Sequence, residues 1–447
     1  MTLGEIAKST LLSKHSKPGV SPGTEFISGE FSLYSRQSLA FIGLIALSWH
    51  GIGLSEANAS PKPPSFVVPE WKSEDGQITV RMRGRWQQDY YSIKNDFGNA
   101  LRDNDTSSEN LRGVRIGLDG TVTPKFAFRG EVDFITEQTN WNDLFVTYRG
   151  KNLDLTVGQH YQASSIEGSM PNPLFLLPEA SLLTNALLLR TRGVGLTARW
   201  RGKNWQAIMS ASGGNMNAGD VFGDDVIKQV QARVSYAPIN KTGNVLHFGI
   251  NSRMRDAQDG PLLRYRARPA ATSHSPRTID SGAFASSDAN LGLEAIWIKG
   301  PLTISAEAQQ VWADYKGDIK PLSGGYVEAS YWLTGESRRY RDAVGNFTTV
   351  TPKKSLLKGG VGGIALVSRI ENLDLSHADL PITQARANPA GISQGRAEAV
   401  SVGLVWLPVE YVMFRLAGAQ TRYDGQARGF DGKGKTRVVT ARVQFNF

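Results

Sequence analysis

The chain has 447 residues, no cysteine and a formal net charge of +9. Without cysteine, a disulfide-stapled scaffold and a thiolate metal site are both excluded. Charged residues make up 20% of the sequence, which suits a soluble protein. The same value is compatible with a membrane β-barrel, because barrel strands carry their apolar residues in alternation and not in long runs.

The first feature in chain order is one long apolar run, residues 39–54. Arg36 precedes this run, and a small-x-small motif that ends at Ala59 follows it, as a signal peptidase requires. We therefore interpret residues 1–59 as an export signal that is cleaved, with a membrane anchor as the alternative. This leader carries as many basic as acidic residues, so the positive excess belongs to the exported part.

After the leader, residues 60–77 form a proline-rich entry segment that we expect in the periplasm, and residues 78–447 consist of short alternating segments between turn signals. In "KFAFRGEVDF" (125–134), the phenylalanines share one face and the charged residues the other, because successive side chains of a strand point to opposite faces. No amphipathic helix of convincing length interrupts the pattern. The sequence predicts an all-β, antiparallel fold.

The length and the charge of the polar faces favour a barrel over a β-sandwich. Roughly 390 residues after the leader accommodate about 16 strands of around ten residues, with alternating tight turns and longer loops. Lipid forces such a sheet to close, because an open edge would leave backbone groups unpaired in hydrocarbon. The chain also ends on an alternating strand with Phe447 last, which is typical of outer-membrane proteins. We predict a 16-stranded transmembrane β-barrel in the bacterial outer membrane.

The stretch "ITVRMRGRWQQDYY" places Arg81, Arg83 and Arg85 at every second position, on one face of a strand. In a barrel, this face lines the water-filled lumen. Guanidinium groups stay protonated and offer paired N–H donors that suit phosphate, so the row predicts a path for anions. The alternative is a general porin, in which Glu131 and Asp133 oppose the arginines and set a transverse field.

A second basic cluster, Arg264, Arg266 and Arg268, follows the same alternation further along the chain. We predict that it collects anions at the mouth of the pore. The alternative is an outer loop that is solvated or that pairs with lipopolysaccharide phosphates, since exposed charge runs usually bind little.

Other chemistry is not indicated by the sequence. The histidines after the leader are scattered without ligand spacing, so we expect neither a metal nor another cofactor. No serine motif accompanies His247, which argues against an outer-membrane hydrolase. We expect no nucleic-acid partner, and a soluble β-rich binding protein is the remaining alternative.

Several stretches resemble the phosphate-selective porin O and P family of Gram-negative outer membranes. They include "GNVLHFGINSRMRD" (243–256), "LLRYRARPA" (262–270), "VIKQVQARVSYAP" (226–238), "GGYVEASYWLTGESRRYR" (324–341) and the closing strand. The block Tyr331–Arg338 is the most specific of them. The resemblance implies a homotrimer of 16-stranded barrels, each with its own pore, narrowed by an inward-folded third loop and lined by arginines above lysines.

The resemblance also implies roles for individual residues. Arg85 and Arg112 match arginines of the ladder on the first and second strands, Arg266 and Arg268 match arginines of a loop that dips into the outer vestibule, and Asp133 fits a pore-lining aspartate. We add Arg115, on the same predicted strand as Arg112, to the anion-conducting residues, and Glu131 to the acidic residues of the pore.

The predicted constriction loop, residues 164–182, departs from the family in its basic residues. It keeps Glu167, Pro178 and Glu179. Gly168 and Ala180 stand where the family places a lysine and an arginine. This departure weakens the prediction that the constriction selects tightly for phosphate. It does not affect the prediction that the pore entrance favours anions.

From these observations we predict an outer-membrane porin that is not an enzyme. It would conduct anions, phosphate or polyphosphate first, by passive diffusion. A general diffusion porin with weak anion preference is the alternative. The expected partners are small anions, outer-membrane lipid and lipopolysaccharide.

Overall fold

The computed structural model describes residue 68 and residues 70–447 except 98–104, 136–139, 163, 189–191, 219–225, 258–261, 274–276, 379–393 and 428–429. The predicted export signal therefore lies outside the described residues. Within the described part, no helix is long and apolar enough to span a membrane.

Sixteen strands of the described chain form a single closed antiparallel sheet, which confirms the predicted 16-stranded barrel. A short additional strand, β1 (Glu70–Lys72), pairs with β2 alone. The barrel strands are β2 (Thr79–Asp96), β3 (Thr106–Thr123), β4 (Phe126–Asp133), β5 (Asn140–Arg149), β6 (Leu153–Tyr161), β7 (Arg192–Arg201), β8 (Trp205–Ser212), β9 (Lys228–Lys241), β10 (Asn244–Asp256), β13 (Ser287–Lys299), β14 (Leu302–Tyr315), β15 (Asp318–Trp332), β18 (Gly363–Asp374), β19 (Gln394–Val409), β20 (Val412–Ala427) and β21 (Phe430–Asn446). Two small hairpins lie outside this sheet, β11 (Leu263–Ala267) with β12 (Ile279–Ala285) and β16 (Arg339–Arg341) with β17 (Asn346–Thr348).

The barrel closes where the first and last of these strands meet. β2 pairs with β21 from Arg85 opposite Asn446 to Asp96 opposite Lys435. Beyond this ladder, Gly84 and Phe447 exchange two backbone hydrogen bonds of 2.8 and 3.0 Å. The Phe447 ring lies over Gly84, where a Cβ would come within 2.2 Å of a ring carbon, so glycine makes room for the terminal aromatic ring at the seam.

The two ends of the barrel differ in the length of their connections. Turns of two or three residues join β3 to β4, β5 to β6, β7 to β8 and β9 to β10, which marks this end as periplasmic. The opposite end carries the long connection between β6 and β7, the third loop (residues 162–191), and that between β10 and β13, the fifth loop (257–286). One connection departs from the pattern, because the periplasmic insert (333–362), between β15 and β18, is also long.

The strand alternation separates an apolar outer surface from a polar lumen. Phe248, Leu293 and Val327 are exposed on the outer wall, where lipid covers such side chains. An aromatic girdle marks the outer surface towards the periplasmic end, formed by Trp200, Trp205, Tyr236, Trp297, Tyr331 and Trp406. The lumen-facing positions are rich in charge, as the sequence predicts.

Part of the lumen is filled by an apolar core that the sequence pattern does not reveal. Leucines of the third loop, such as Leu182 and Leu187, pack with Phe284 of β12 and with the inward-facing wall residues Val311 and Leu322. The third and fifth loops are therefore packed against one side of the barrel. The same apolar cluster includes Ile93 of β2 and Val438 of β21, so it extends across the seam of the barrel.

Candidate functional site

The three arginines of the first barrel strand differ in their surroundings. Arg81 is exposed near the periplasmic end, opposite Glu70 of β1 and Asp119 of β3 in register. Arg83 is half-buried, and Arg85 is buried with 9% of its surface exposed. The row therefore descends from the middle of the wall to the periplasmic rim.

The acidic residues lie beside the arginines on neighbouring strands. The Arg83 Nε lies 3.0 Å from Glu131 Oε2, and the Arg115 Nε lies 2.8 Å from Asp133 Oδ2. Arg83 and Arg115 both reach Glu131, at 3.0 and 3.5 Å. Register explains these contacts, because Arg115 faces Asp133 across the β3–β4 pair. Glu131 and Asp133 thus neutralise their neighbours laterally and do not form an opposing acidic wall.

The same network continues across β5 and β7. Asp119 lies 3.4 Å from Arg83 Nη1 and 2.6 Å from Arg129 Nε. Asp143 lies 3.7 Å from Arg129 Nη1 and 2.7 Å from Arg192 Nε. The Arg192 guanidinium also stacks on the Tyr161 ring, 3.6 Å from its centroid.

Arg85 stands apart from this network. Four carboxylates, Asp119, Glu131, Asp133 and Asp143, neutralise four arginines, Arg83, Arg115, Arg129 and Arg192. With Arg85, five positive charges minus four negative charges leave one. Among the described residues, the Arg85 guanidinium forms no hydrogen bond or ion pair. The uncompensated charge therefore lies on Arg85.

The third loop is held in the barrel by Glu167 and its partners. α1 (Ile166–Ser169) begins after Ser165, whose hydroxyl accepts a 3.0 Å hydrogen bond from Gly168 N. The Glu167 carboxylate accepts hydrogen bonds from Ser181 N and from the Thr184 hydroxyl, at 2.9 and 2.8 Å. It also pairs with Arg369 of β18 at 3.2 Å. Glu167 thus has a structural role.

Glu179 ties the other arm of the loop to the seam of the barrel. Arg112, the extra residue of a bulge in β3, reaches the Glu179 carboxylate at 3.0 Å. Arg442 of β21 reaches it at 3.2 Å and also donates to Pro178 O. Burial alone would raise the pKa of Glu179, but the Arg112 and Arg442 guanidinium groups outweigh it and lower the pKa to about 2. Arg112 is therefore a loop anchor in this structure.

Gly168 and Ala180, which stand where the family has a lysine and an arginine, are tightly surrounded by other side chains. A Cβ on Gly168 would lie 2.3 Å from the Ser164 hydroxyl and 2.9 Å from the Ser165 hydroxyl. Ala180 is 4% exposed and belongs to an apolar cluster with Ile166, Met170 and Phe175. A lysine or arginine at these two positions would not fit the present packing, so the third loop contributes no basic group there.

The fifth loop brings its arginines into the barrel. Arg264 of β11 pairs with Asp280 of β12 through two hydrogen bonds of 2.6 Å each. Arg266 and Arg268 lie further along the same segment and are half-buried. Arg277 joins them, and burial followed by repulsion from Arg268 and Arg266 lowers its pKa to about 10.

The wall strands fix the position of this loop. Ala270 N donates to the Thr421 hydroxyl of β20 at 3.1 Å, and the Ser273 hydroxyl donates to Asp89 of β2 at 3.1 Å. Asp89 in turn pairs with Arg442 at 2.5 Å. The fifth-loop arginines therefore lie above the third loop, on the extracellular side.

The periplasmic insert enters the barrel from the other end. The Arg233 guanidinium of β9 donates to Val344 O and Gly345 O at 2.9 and 2.7 Å. Gly345 has φ 58°, and a Cβ there would lie 2.5 Å from the Gln206 amide nitrogen. His247 of β10 contacts the Tyr340 hydroxyl at 2.7 Å, which gives this buried histidine a structural role.

The insert also contacts the third loop directly. The Arg338 guanidinium stacks on Phe347, 3.6 Å from the ring centroid, and donates to Leu174 O at 3.1 Å. Asn346 Nδ2 donates to the Ser169 hydroxyl at 3.0 Å. Phe347 packs in the apolar cluster that contains Met170. The third loop is thus held between the barrel wall and the insert.

Sequence reasoning overlooked several of these residues. Alternation along β21 puts Arg442 on the lumen face, but no local pattern in that strand indicates that it holds Glu179 and Pro178. Arg277 lies outside any alternating segment, and no sequence pattern indicates that it joins the fifth-loop arginines. Arg369 could have been found from the inward phase of β18, as the partner that Glu167 needs.

No group of three or more metal-ligating side chains is present within the described residues.

Comparison with known proteins agrees with the geometry. The family model of the phosphate-selective porin O and P matches residues 80–447. Porin O of Pseudomonas aeruginosa is 26% identical over 386 residues, 79% of this chain and 85% of that protein. An uncharacterized protein of Caulobacter vibrioides is 27% identical over 418 residues, 89% of this chain and 81% of its own. Among solved structures, the anion-selective porin from Comamonas acidovorans superposes with a TM-score of 0.53 at 12% identity, covering 83% of this chain and all of that one.

Proposed function

Because the chain belongs to the phosphate-selective porin O and P family, we propose that this outer-membrane porin conducts anions, phosphate or polyphosphate first, by passive diffusion through its arginine-lined lumen. The family match spans residues 80–447 and identifies a porin of the bacterial outer membrane. The choice of anion is the part that we propose.

The observation that carries the proposal is the uncompensated charge of Arg85. The neighbouring Arg83 and Arg115 are neutralised by carboxylates, so the Arg85 guanidinium, 9% exposed, is the one at this level of the wall that no carboxylate pairs with among the described residues. A guanidinium binds an oxyanion through two parallel N–H donors. A single such group attracts an anion without holding it too strongly for conduction.

The fifth loop supports the same proposal at the mouth. Burial and then repulsion from Arg268 and Arg266 lower the pKa of Arg277, so these three cations are grouped at the mouth. Basic side chains surrounded by low-dielectric walls raise the local anion concentration and the rate of entry. We propose that these arginines collect anions and that Arg85 lies further along their path.

We propose to test the role of Arg85 with single channels in planar bilayers. Arg85→Gln removes the net charge, and we expect a lower anion preference and weaker block of the chloride current by phosphate. The double variant Arg83→Gln/Glu131→Gln removes a neutralised pair and serves as the matched control, with nearly unchanged selectivity. A reversal potential that is the same in wild type and Arg85→Gln would contradict the proposal.

A general diffusion porin with weak anion preference is the second candidate. The enclosed Gly168 and Ala180 favour it, because the third loop supplies no basic group at either position. In that case the chloride current of the wild-type channel would be indifferent to phosphate at millimolar concentration.

The proposal extends to the assembly. We propose a homotrimer, as the family resemblance implies, whose outer wall contacts lipid and lipopolysaccharide. We further propose a channel without enzymatic activity, since the lumenal His247 is engaged by Tyr340 and Glu294.

A further inference from the structure

The outer wall carries a patch of cations that the conduction path does not use. Lys94 on β2, Arg422 on β20, and Lys435 and Arg437 on β21 all occupy outward-facing positions near the extracellular ends of their strands. We call these four residues the rim patch. Three of them are exposed, and the Lys435 side chain is 38% exposed.

The strand register concentrates the charge of the rim patch. Lys94 faces Arg437 across the β2–β21 pair, and Arg422 faces Lys435 across the β20–β21 pair. Directly opposed side chains have Cβ atoms about 5 Å apart, and like charges there destabilise the sheet. Lys435 and Arg437 are two residues apart on one strand. The four cations therefore form one contiguous group.

Nearby acids compensate this group only in part. Asp96 pairs with Lys435 at 2.8 Å. Glu398 faces Arg422 in the register, but no ion pair joins these two residues in the described structure. Arg437 contacts the neutral Gln420 amide oxygen at 3.4 Å. Lys433 and Asp424 form a further pair at the same level, at 3.9 Å, so five cations minus three carboxylates leave two positive charges on this part of the outer wall.

Below Gln420, the outward wall of β20 and β21 is apolar. Towards the periplasm, the outward positions of the same strands carry Val439, 54% exposed, and Leu416, 53% exposed, followed by Val443. A molecule that binds both the rim patch and the apolar wall beneath it needs anionic groups next to the patch and hydrocarbon next to the wall. This requirement describes a lipid with a phosphorylated headgroup.

We propose that the rim patch binds the phosphorylated headgroup of lipopolysaccharide, with the acyl chains covering the apolar wall beneath it. Arg422 and Arg437 would bind phosphate oxygens through paired N–H donors, while Lys94 and Lys435 supply point charges. This inference rests on the proposed lipid contact and is independent of anion conduction.

The experiment measures binding of purified diphosphorylated lipid A to the full-length protein in detergent, by native mass spectrometry or fluorescence titration. The variant is Arg422→Gln/Arg437→Gln. The control is Lys203→Gln/Lys299→Gln, which removes the same charge from exposed positions at the periplasmic end. Loss of two charge-assisted contacts should weaken binding at least about tenfold in the variant, with wild-type affinity in the control. Dephosphorylated lipid A should bind wild type and variant alike.

Other results would overturn the proposal. Equal affinity of wild type for phosphorylated and dephosphorylated lipid A would show that the rim patch does not bind the phosphate groups. Competition by inorganic phosphate at the concentration of lipid A would indicate a site for free anions. Dissociation of oligomers in the variant, with unchanged lipid affinity, would assign the patch to a contact between copies. Chloride conductance is measured alongside and should stay at the wild-type value, which separates this test from that of Arg85.

Discussion

At the scale of single residues, the lumen shows that a charged side chain can hold a loop as well as face a permeant ion. Arg85 and Arg112 lie on adjacent strands and both match ladder arginines by resemblance. Yet Arg85 has no partner among the described residues, while Arg112 is engaged by Glu179 at 3.0 Å. We therefore expect substitutions at Arg85 to change selectivity and substitutions at Arg112 to change the stability of the third loop.

Glu179 offers a prediction with a defined pH dependence. Its folded-state pKa, about 2, lies below the ordinary value of 4.5, so its stabilising effect is complete above about pH 4.5 and is lost as the pH falls towards 2. Glu179→Gln leaves Arg112 and Arg442 without their shared partner and should cost about 3 to 5 kcal/mol at pH 7. The difference between the urea midpoints of wild type and Glu179→Gln should therefore become smaller as the pH is lowered from 4.5 to 2.5.

The control for this measurement is Glu74→Gln, an exposed glutamate before β2, whose midpoint should match wild type at every pH. A Glu179→Gln difference that is constant from pH 7 to pH 2.5 would contradict the assigned pKa.

The sequence predicts which face of the sheet each side chain occupies. It does not predict which residues on neighbouring strands that side chain contacts. Period-two spacing fixes that Arg83 and Glu131 point to the lumen, because side chains of a strand alternate. Whether they contact each other depends on the register between β2, β3 and β4. The register is set by closure of the whole sheet, and no local pattern around Arg83 contains it.

At the scale of elements, the long periplasmic insert between β15 and β18 is not predicted by the sequence pattern. From the sequence, the block Tyr331–Arg338 indicates only the family resemblance. In the structure this block leads from β15 into a segment that packs against the third loop through Arg338, Asn346 and Phe347. Such contacts join residues about 170 positions apart, and turn-like composition gives no hint of them.

We predict that the insert restrains the third loop. Phe347→Ala removes the ring on which Arg338 stacks and opens a cavity beside Met170 and Phe175. Such truncations of buried phenylalanine cost about 3 to 5 kcal/mol. The closed sheet should survive, so we expect a folded channel with larger and more variable single-channel conductance.

Phe347→Leu, which keeps most of the buried volume, should restore conductance close to wild type. Phe414→Ala is the matched control, because this phenylalanine stacks on Trp406 outside the lumen. Wild-type conductance and noise in Phe347→Ala would show that the insert does not restrain the loop.

At the scale of the whole molecule, the fold was predictable because the environment leaves few solutions. Alternating strands without long apolar runs can satisfy their backbone in lipid only by closing, and this constraint turned short segments into a barrel. The apolar core inside the lumen was not predictable in the same way. Val311 and Leu322 face inward although their neighbours are polar, because the third and fifth loops cover them there.

The last residue extends the seam of the barrel beyond the β2–β21 ladder, and two variants separate the contributions of its ring and its backbone. Phe447→Ala removes the ring over Gly84 and keeps both backbone hydrogen bonds of the seam, whereas deletion of Phe447 removes ring and hydrogen bonds together. Unpaired backbone groups at the seam are costly next to lipid. We therefore expect the temperature at which the folded protein loses its compact mobility in detergent electrophoresis to fall in the order wild type, Phe447→Ala, deletion. Equal temperatures for the two variants would mean that the ring alone stabilises the seam, and that the hydrogen bonds of Gly84 are replaced by water.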